Sequence, residues 1–279
     1  MKKIPSGRLD VRMIALDLDD TLLDKDTRIS DGNVRALQKA AAQGIYVVLC
    51  SGRAEDAILP YVHRLDIAGT EAGRYLIAIN GCSIFDLHKR VQIYSRTVSG
   101  EILRHANEEA KKAGLFGEVY TPTTIYMPES TEWTDLDVKL CKLKGEVVPD
   151  FDNFILKGFS KMLIPGQPEV LQELQEKLKA DFGKDAVVFI SKPYFLEILP
   201  PDCGKGEALT WLAAHAGVAQ EQTMGFGDSM NDESMIRMAG YGVAMSNGLP
   251  YIQEAAAFVT EQDNDHSGVG DFIEKYVLR

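Results

Sequence analysis

Met13-Ile14-Ala15-Leu16-Asp17-Leu18-Asp19-Asp20-Thr21-Leu22-Leu23 is an apolar run that ends in three carboxylates within four residues and resumes as an apolar pair. The run has the length and character of a strand buried on both faces, as in a parallel sheet. Side chains alternate along an extended chain, so the sequence predicts Asp17 and Asp19 on one side of the strand end and Leu18 on the other. At ~4 Å and an effective dielectric of about 20, two such carboxylates repel by roughly 4 kcal/mol. Either one is protonated or a cation sits between them. A hard divalent cation such as Mg2+ takes one or two carboxylates together with substrate phosphate oxygens. The stretch points to a metal-assisted site at the carboxyl edge of a sheet, with a solvated turn or a helix N-cap as the plainer alternative.

Outward from this stretch the chain alternates strand and helix. Ser30 is a good N-cap for a helix over Asn33 to Gln43, and Gly44 stands where a helix-ending glycine belongs. Ile45 to Cys50 is a second buried strand, ending in Ser51-Gly52-Arg53. A helix over Ala54 to Leu65 follows, then a third strand, Tyr75 to Ile79, ending in Asn80-Gly81. This alternation predicts a doubly wound, Rossmann-like parallel sheet, whose ligands bind at the carboxyl ends of the strands. Asp17, Ser51 and Asn80 all stand at that edge. The rhythm then changes. Ser83 to Asp86 and Val91 to Tyr94 read as a hairpin, and Glu101 to Gly114 and Pro168 to Ala180 as helices. Glu118 to Met127, Phe154 to Ile164, Val187 to Ser191 and Tyr194 to Leu199 read as strands. We therefore expect an α+β domain over 83–200, inserted into a core made of 1–82 and 201–279. The α/β rhythm resumes with a helix over Lys205 to Ala216, a strand over Thr223 to Gly227 and a helix over Asp232 to Ala239. Gly242 to Met245, Ile252 to Ala256, Ala257 to Val259 and Val269 to Tyr276 continue it as strand, helix, strand and helix.

The chain has 279 residues, enough for one or two domains, and a formal net charge of −11. That balance argues against a dedicated nucleic-acid or anionic-membrane binder. An anionic substrate would need locally concentrated positive charge: a metal, a lysine, helix N-termini. The four cysteines, Cys50, Cys82, Cys141 and Cys203, show no CxxC spacing, and the five histidines form no HxxxH pair, so a zinc site is not expected. Met1 to Arg12 lacks the apolar segment of a signal peptide, and no stretch approaches the ~20 apolar residues of a membrane span. The expectation is a soluble, cytosolic protein, with no pattern that sets an oligomeric state.

A second acidic cluster closes the motif set. Gly225-Phe226-Gly227-Asp228-Ser229-Met230-Asn231-Asp232 again places carboxylates after an apolar strand end, which strengthens the case for bound Mg2+. Helix capping by Asp228 and Asn231 accounts for one of these residues but not for acids recurring at two strand ends of one sheet. Gly204-Lys205-Gly206 opens a helix. It is not a Walker loop, because Leu199 stands where the first glycine belongs. A lysine between glycines at a helix start can place its ammonium over a phosphate, and a solvated surface lysine is the alternative. Ser51-Gly52 offers a hydroxyl and an amide at a helix N-terminus, which suits a phosphate oxygen as well as a simple cap.

In order, DxDxT, Ser-Gly at a strand end, a lysine and GDxxND resemble the haloacid dehalogenase-like phosphohydrolase superfamily over essentially the whole chain. The inserted segment, Gly242-Val243-Ala244-Met245-Ser246-Asn247 and Ser267-Gly268-Val269 resemble its Cof-type subgroup. The resemblance implies a Mg2+-dependent phosphomonoester hydrolase with a mobile specificity cap. Its substrate would be a sugar phosphate or a phosphorylated cofactor. It implies Asp17 as the nucleophile and Asp19 as general acid and then base. Mg2+ would be held by the Asp17 carboxylate, the Asp19 carbonyl and Asp228. Phosphate would be bound by the Leu18 amide, Ser51, Gly52, Lys205 and Asn231. Thr21 would brace the loop, and Asp232 would orient metal waters or hold Lys205. Arg53 and Asn80 are candidates for substrate contact, with a surface role and a hinge as alternatives. Tyr120, Thr123 and Lys157 are polar cap positions for which structural roles are the simpler reading. Asp20 replaces a common glycine, Ser51 replaces the commoner threonine, and Asp202-Cys203-Gly204 is an unusual approach to the lysine. The alternatives are a phosphomannomutase-like phosphotransferase and a non-catalytic phosphometabolite or Mg2+ sensor.

Overall fold

The computed structural model describes residues 3–279, so the first two residues of the segment read as lacking a signal peptide lie outside it. The chain divides into two compact units. One comprises the chain up to Gly52, Ile58–Tyr94 and Gly204–Arg279; the other comprises Arg53–Ala57 and Ser95–Cys203.

The first unit opens with β1 (Met13–Leu16), α1 (Asp31–Ala42), β2 (Tyr46–Cys50), α2 (Glu55–Leu65, whose first residues group with the second unit), β3 (Tyr75–Ala78), β4 (Ser83–Asp86) and β5 (Val91–Ser95). The second unit contributes α3 (Gly100–Lys112), β6 (Glu118–Tyr120), β7 (Thr124–Met127), α4 (Glu132–Cys141), β8 (Lys144–Val147), α5 (Phe151–Phe154), β9 (Met162–Pro165), α6 (Pro168–Phe182), β10 (Val187–Lys192) and β11 (Phe195–Leu199). The first unit closes with α7 (Lys205–Ala216), β12 (Thr223–Gly227), α8 (Glu233–Met238), β13 (Tyr241–Ala244), α9 (Pro250–Ala255), β14 (Phe258–Val259) and α10 (Gly268–Tyr276).

Among the described residues the first unit's strands form an eight-stranded sheet, ordered β14-β13-β12-β1-β2-β3-β4-β5. β1 pairs in parallel with β2 on one side and β12 on the other, Met13 standing opposite both Tyr46 and Thr223. Every residue of β1, β3 and β12 is buried, which is why β1 and β3 read as unbroken apolar runs and β12 as an apolar and glycine run after Thr223. Met13, Ala15, Val48 and Ile77 pack against Ala208, Leu209 and Leu212 of α7. Because the chain runs from β1 outward in both directions, the β1–β12 boundary is a switch point, where the carboxyl ends of strands open a crevice.

The hairpin at Ser83 corrects the expected boundary of the insertion. β4 pairs antiparallel with β3, Tyr75 opposite Asp86 and Ala78 opposite Ser83, so 83–94 extend the first sheet. The chain can fold straight back because Ile79, Asn80 and Gly81 all adopt positive φ.

The second unit carries a six-stranded sheet, ordered β10-β11-β9-β6-β7-β8. One face buries Val119, Met162, Ile164, Leu196 and Ile198 with Leu103 of α3 and with Leu171 and Leu178 of α6. Alternation puts Glu118 and Tyr120 on the opposite face. The expected strand over Glu118 to Met127 is two strands, because Thr121 donates its amide to the Thr124 carbonyl and turns the chain. The expected strand over Phe154 to Ile164 is also corrected. Phe151–Lys157 is helical, Gly158 turns at φ +80°, and only Met162–Pro165 is extended. No helix among the described residues is long and apolar enough to cross a membrane.

Candidate active site

All but one of the residues singled out for chemistry fall in the first unit, most of them directly after β1, β2, β3 and β12. Asp17 follows β1, fastened by its amide to the Phe226 carbonyl at 3.1 Å. The chain then coils in a wide turn, with the Leu22 amide on the Asp17 carbonyl at 3.3 Å and Asp20 at φ +59°. This turn separates the two acids that strict alternation would have paired. Asp17 is buried and Asp19 is exposed.

The carboxylates that do converge are Asp17, Asp228 and Asp232, one oxygen from each lying within 4.8 Å of the others. Lys205, the first residue of α7, is fully buried between two of them. Its ammonium donates to Asp17 Oδ1 and, at 2.6 Å, to Asp232 Oδ1. Burial alone would lower the lysine's pKa, but Asp17 and Asp232 raise it above the ordinary value, so it stays charged. Asp17 is pushed well above the usual carboxylate range, by burial first and then by Asp232 and Asp228, against the pull of Lys205. Asp228 is pushed up to about 7, by burial and then Asp232, opposed by the Thr21 hydrogen bond. Three acids thus share one buried cation.

Both oxygens of Asp232 are engaged. Oδ1 takes Lys205, while Oδ2 accepts the amides of Asp228 and Ser229 at 2.9 and 3.1 Å. Asp232 therefore holds the lysine and the loop. Among the described residues, Lys205 takes only Oδ1 of Asp17, and the Thr21 hydroxyl donates at 2.9 Å only to Oδ1 of Asp228. The second oxygen of each remains for another partner, and an oxygen donor set that is short of positive charge fits a hard divalent cation.

The remaining residues line the same edge. Ser51 is buried at the end of β2, and its carbonyl accepts the Asn80 amide at 3.0 Å. Gly52 faces Asn80 so closely that a Cβ there would stand 2.9 Å from Asn80 Oδ1. Asn80 in turn accepts a hydrogen bond from Asn231 at 3.1 Å, and Asn231 is held by the Ser229 hydroxyl at 2.8 Å. Asn80 is thus a brace between strand ends. A Cβ on Gly81 would stand 2.1 Å from the Gly204 carbonyl, so this glycine lets the start of α7 approach.

Arg53 groups with the second unit. There the Tyr120 hydroxyl donates to Asp137, Lys157 sits 3.8 Å over the Phe154 ring, and the hydroxyls of Thr123 and Thr124 are 3.2 Å apart. These contacts give the three cap positions structural work. Sequence reasoning missed Asn33, Asn247 and Asn264, which hold the loop after Asp19. Of these, only Asn247 carried a signal, in the Gly242 to Asn247 motif.

A family model described as haloacid dehalogenase-like hydrolase matches residues 14–273. The 5-amino-6-(5-phospho-D-ribitylamino)uracil phosphatase of Bacillus subtilis is 31% identical over 298 residues, covering 95% of this chain and 98% of its own. The HMP-PP phosphatase of Serratia proteamaculans is 28% identical over 250 residues, covering 87% and 86%. The crystal structure of a haloacid dehalogenase-like hydrolase from Bacteroides thetaiotaomicron matches with a TM-score of 0.86 at 30% identity, covering 95% of this chain and 98% of that one.

Proposed function

The chain belongs to the haloacid dehalogenase-like hydrolase family, and from that premise we propose that it is a Mg2+-dependent phosphatase of a small phosphorylated metabolite, working through an aspartyl-phosphate on Asp17. The observation that carries the reading is the buried Asp17–Lys205–Asp232 chain with Asp228 beside it. Two relatives are named as phosphatases of a phosphoribitylaminouracil and of HMP-PP, which supports the substrate class. The second unit would set which ester is accepted.

Mg2+ would be held by the Asp17 carboxylate, the Asp19 carbonyl and Asp228, and would neutralise charge on the phosphoryl oxygens. Asp17 attacks phosphorus, the ester P–O bond breaks, and the leaving oxygen takes the proton of Asp19. A water then attacks the acyl phosphate, giving its proton to Asp19 and releasing phosphate and free Asp17. Lys205 has three N–H donors, two of them spent on carboxylates, and the third is available to a phosphate oxygen. It offsets the charge that opposes attack by one anion on another. The Leu18 amide, Ser51, Gly52 and Asn231 would hold the remaining oxygens, and the Thr21 hydrogen bond keeps Asp228 in place.

Phosphate release from a panel of phosphorylated metabolites and from p-nitrophenyl phosphate, with and without Mg2+, tests the reading. We expect Mg2+-dependent release, abolished in a folded Asp17→Asn variant. Absence of release from every ester, or retained turnover in Asp17→Asn, would overturn it.

A further inference from the structure

The turn that carries Asp19 is held from outside by asparagines from three other segments. Asn247 Nδ2 donates to the Asp20 carbonyl at 2.8 Å. Asn33 Nδ2 donates to the Leu22 carbonyl at 3.2 Å, and Asn264 Nδ2 to the Leu23 carbonyl at 2.9 Å. Each amide is itself oriented or anchored. The Gly270 amide donates to Asn33 Oδ1 at 2.8 Å, and the Asn264 amide donates to Asn247 Oδ1 at 3.2 Å. Asn33 and Asn264 are buried, whereas Asn247 is exposed.

Asn247 differs from the other two in what it joins. Its own loop follows β13 and is fastened to the second acidic strand end: the Met245 amide donates to the Gly227 carbonyl at 3.0 Å, and the Leu249 amide to the Asp228 carbonyl at 2.8 Å. Its side chain therefore ties the backbone of the Asp228 loop to the backbone of the Asp19 turn. The point of attachment is Asp20, whose φ of +59° is a left-handed conformation uncommon for a residue with a side chain. The residue immediately before it is the proposed general acid.

We infer that Asn247 is a positioning residue for phosphoryl transfer: by holding the Asp20 carbonyl it fixes the left-handed turn that aims the Asp19 carboxyl at the leaving oxygen. The inference rests on the proposed role of Asp19. Being exposed, Asn247 contributes little to the core, so its loss acts on the turn and not on the fold.

The test compares kcat/KM for two esters in wild type, Asn247→Ala, Asn247→Asp and Asp19→Asn. Asn247→Asp keeps the volume and the acceptor for the Asn264 amide but loses the donor to Asp20. It keeps the test decisive should Asn247→Ala fail to fold. Glycerol 2-phosphate needs a protonated leaving alkoxide, whereas the p-nitrophenolate of p-nitrophenyl phosphate leaves unaided. Because kcat/KM reports only the steps through alcohol release, the later use of Asp19 as a base does not enter. Both Asn247 variants are expected to lose about 100-fold on glycerol 2-phosphate, the cost of a misplaced catalytic group. They are expected to lose about threefold or less on p-nitrophenyl phosphate, with melting temperatures near wild type. Asp19→Asn should show the same selectivity, at least as large. Equal losses on both esters in the Asn247 variants, or none, would overturn the inference while leaving Asp19 as the acid. An Asp19→Asn variant without leaving-group selectivity would overturn the underlying reading itself.

Discussion

Lys205 is a fully buried ammonium whose two partners are themselves buried carboxylates. That arrangement leaves Asp228 as the acid of the three with no ion pair to a basic side chain among the described residues. Its pKa of about 7 lies above the ordinary value of 3.8, so ionising it costs the fold. The sign follows. With no metal bound, the stability tied to the protonated form is fully present below pH 3.8 and is lost as pH rises through about 7. Asp228→Asn removes that loss. In chelator-treated protein we expect the variant to match wild type near pH 4 and to exceed it by up to about 4 kcal/mol at pH 8. Addition of Mg2+ should then raise the melting temperature of wild type and not of the variant. Chemical denaturation across this pH range, with chelator and with Mg2+, checks both parts. A stability difference that does not change with pH would remove charge crowding as the cause.

At the scale of elements, legibility followed burial. The parallel strands of the first unit were readable because a strand covered on both faces must be apolar throughout, and α7 was read to its ends because Gly204 and Gly217 bracket it. The acids after β1 and β12 and the lysine at the start of α7 were readable as motifs. The resemblance also implied that Asp232 holds Lys205, but the pairing of Asp17 with Asp19 expected from alternation fails, because alternation cannot foresee the wide turn after Asp17. The asparagine clamps were illegible for another reason: Asn247 and Asn264 reach carbonyls more than 200 residues away, and any polar residue satisfies the local pattern. The second unit was read least well because its sheet has one mixed face. Helix α4, which carries Asp137, went unread. Asp137 accepts from the Tyr120 hydroxyl and from Cys141, while Lys161 pairs with Glu197 at 3.5 Å. Neither oxygen of the fully buried Glu118 makes a hydrogen bond among the described residues. Burial first and then Asp137, against the pull of Lys161, push Glu118 well above its ordinary value of 4.5. The fold therefore disfavours the ionised form of Glu118 relative to the neutral one. Stability from this residue is present below pH 4.5 and is lost as pH rises through the raised value. Glu118→Gln should gain stability relative to wild type as pH rises from 4 to 8. Urea denaturation at several pH values measures this, and a wild-type advantage that widens with pH would sink the assignment.

At the scale of the molecule, each unit carries an apolar cluster built from its own residues. The apolar cluster of the second unit runs from Val98 to Ile198 and draws on no residue of the first. The clusters built on Met13 and on Ile236 draw on none of the second. The second unit also closes its own sheet, from β10 at one edge to β8 at the other. A segment of about 100 residues with its own core is within the range that folds alone. The continuous segment Ser95–Cys203 makes up all of the second unit except Arg53–Ala57. We therefore expect residues 95–203, produced alone, to unfold in one cooperative thermal transition with mixed helix and strand content. The fragment should release no phosphate from any ester, since Asp17, Asp19, Lys205 and Asp228 all belong to the other unit. Circular dichroism and a phosphate-release assay on the fragment provide the check. A gradual, non-cooperative melt would mean that the cluster around Val119 and Ile164 is not a sufficient core. The insertion would then depend on the first unit for its order.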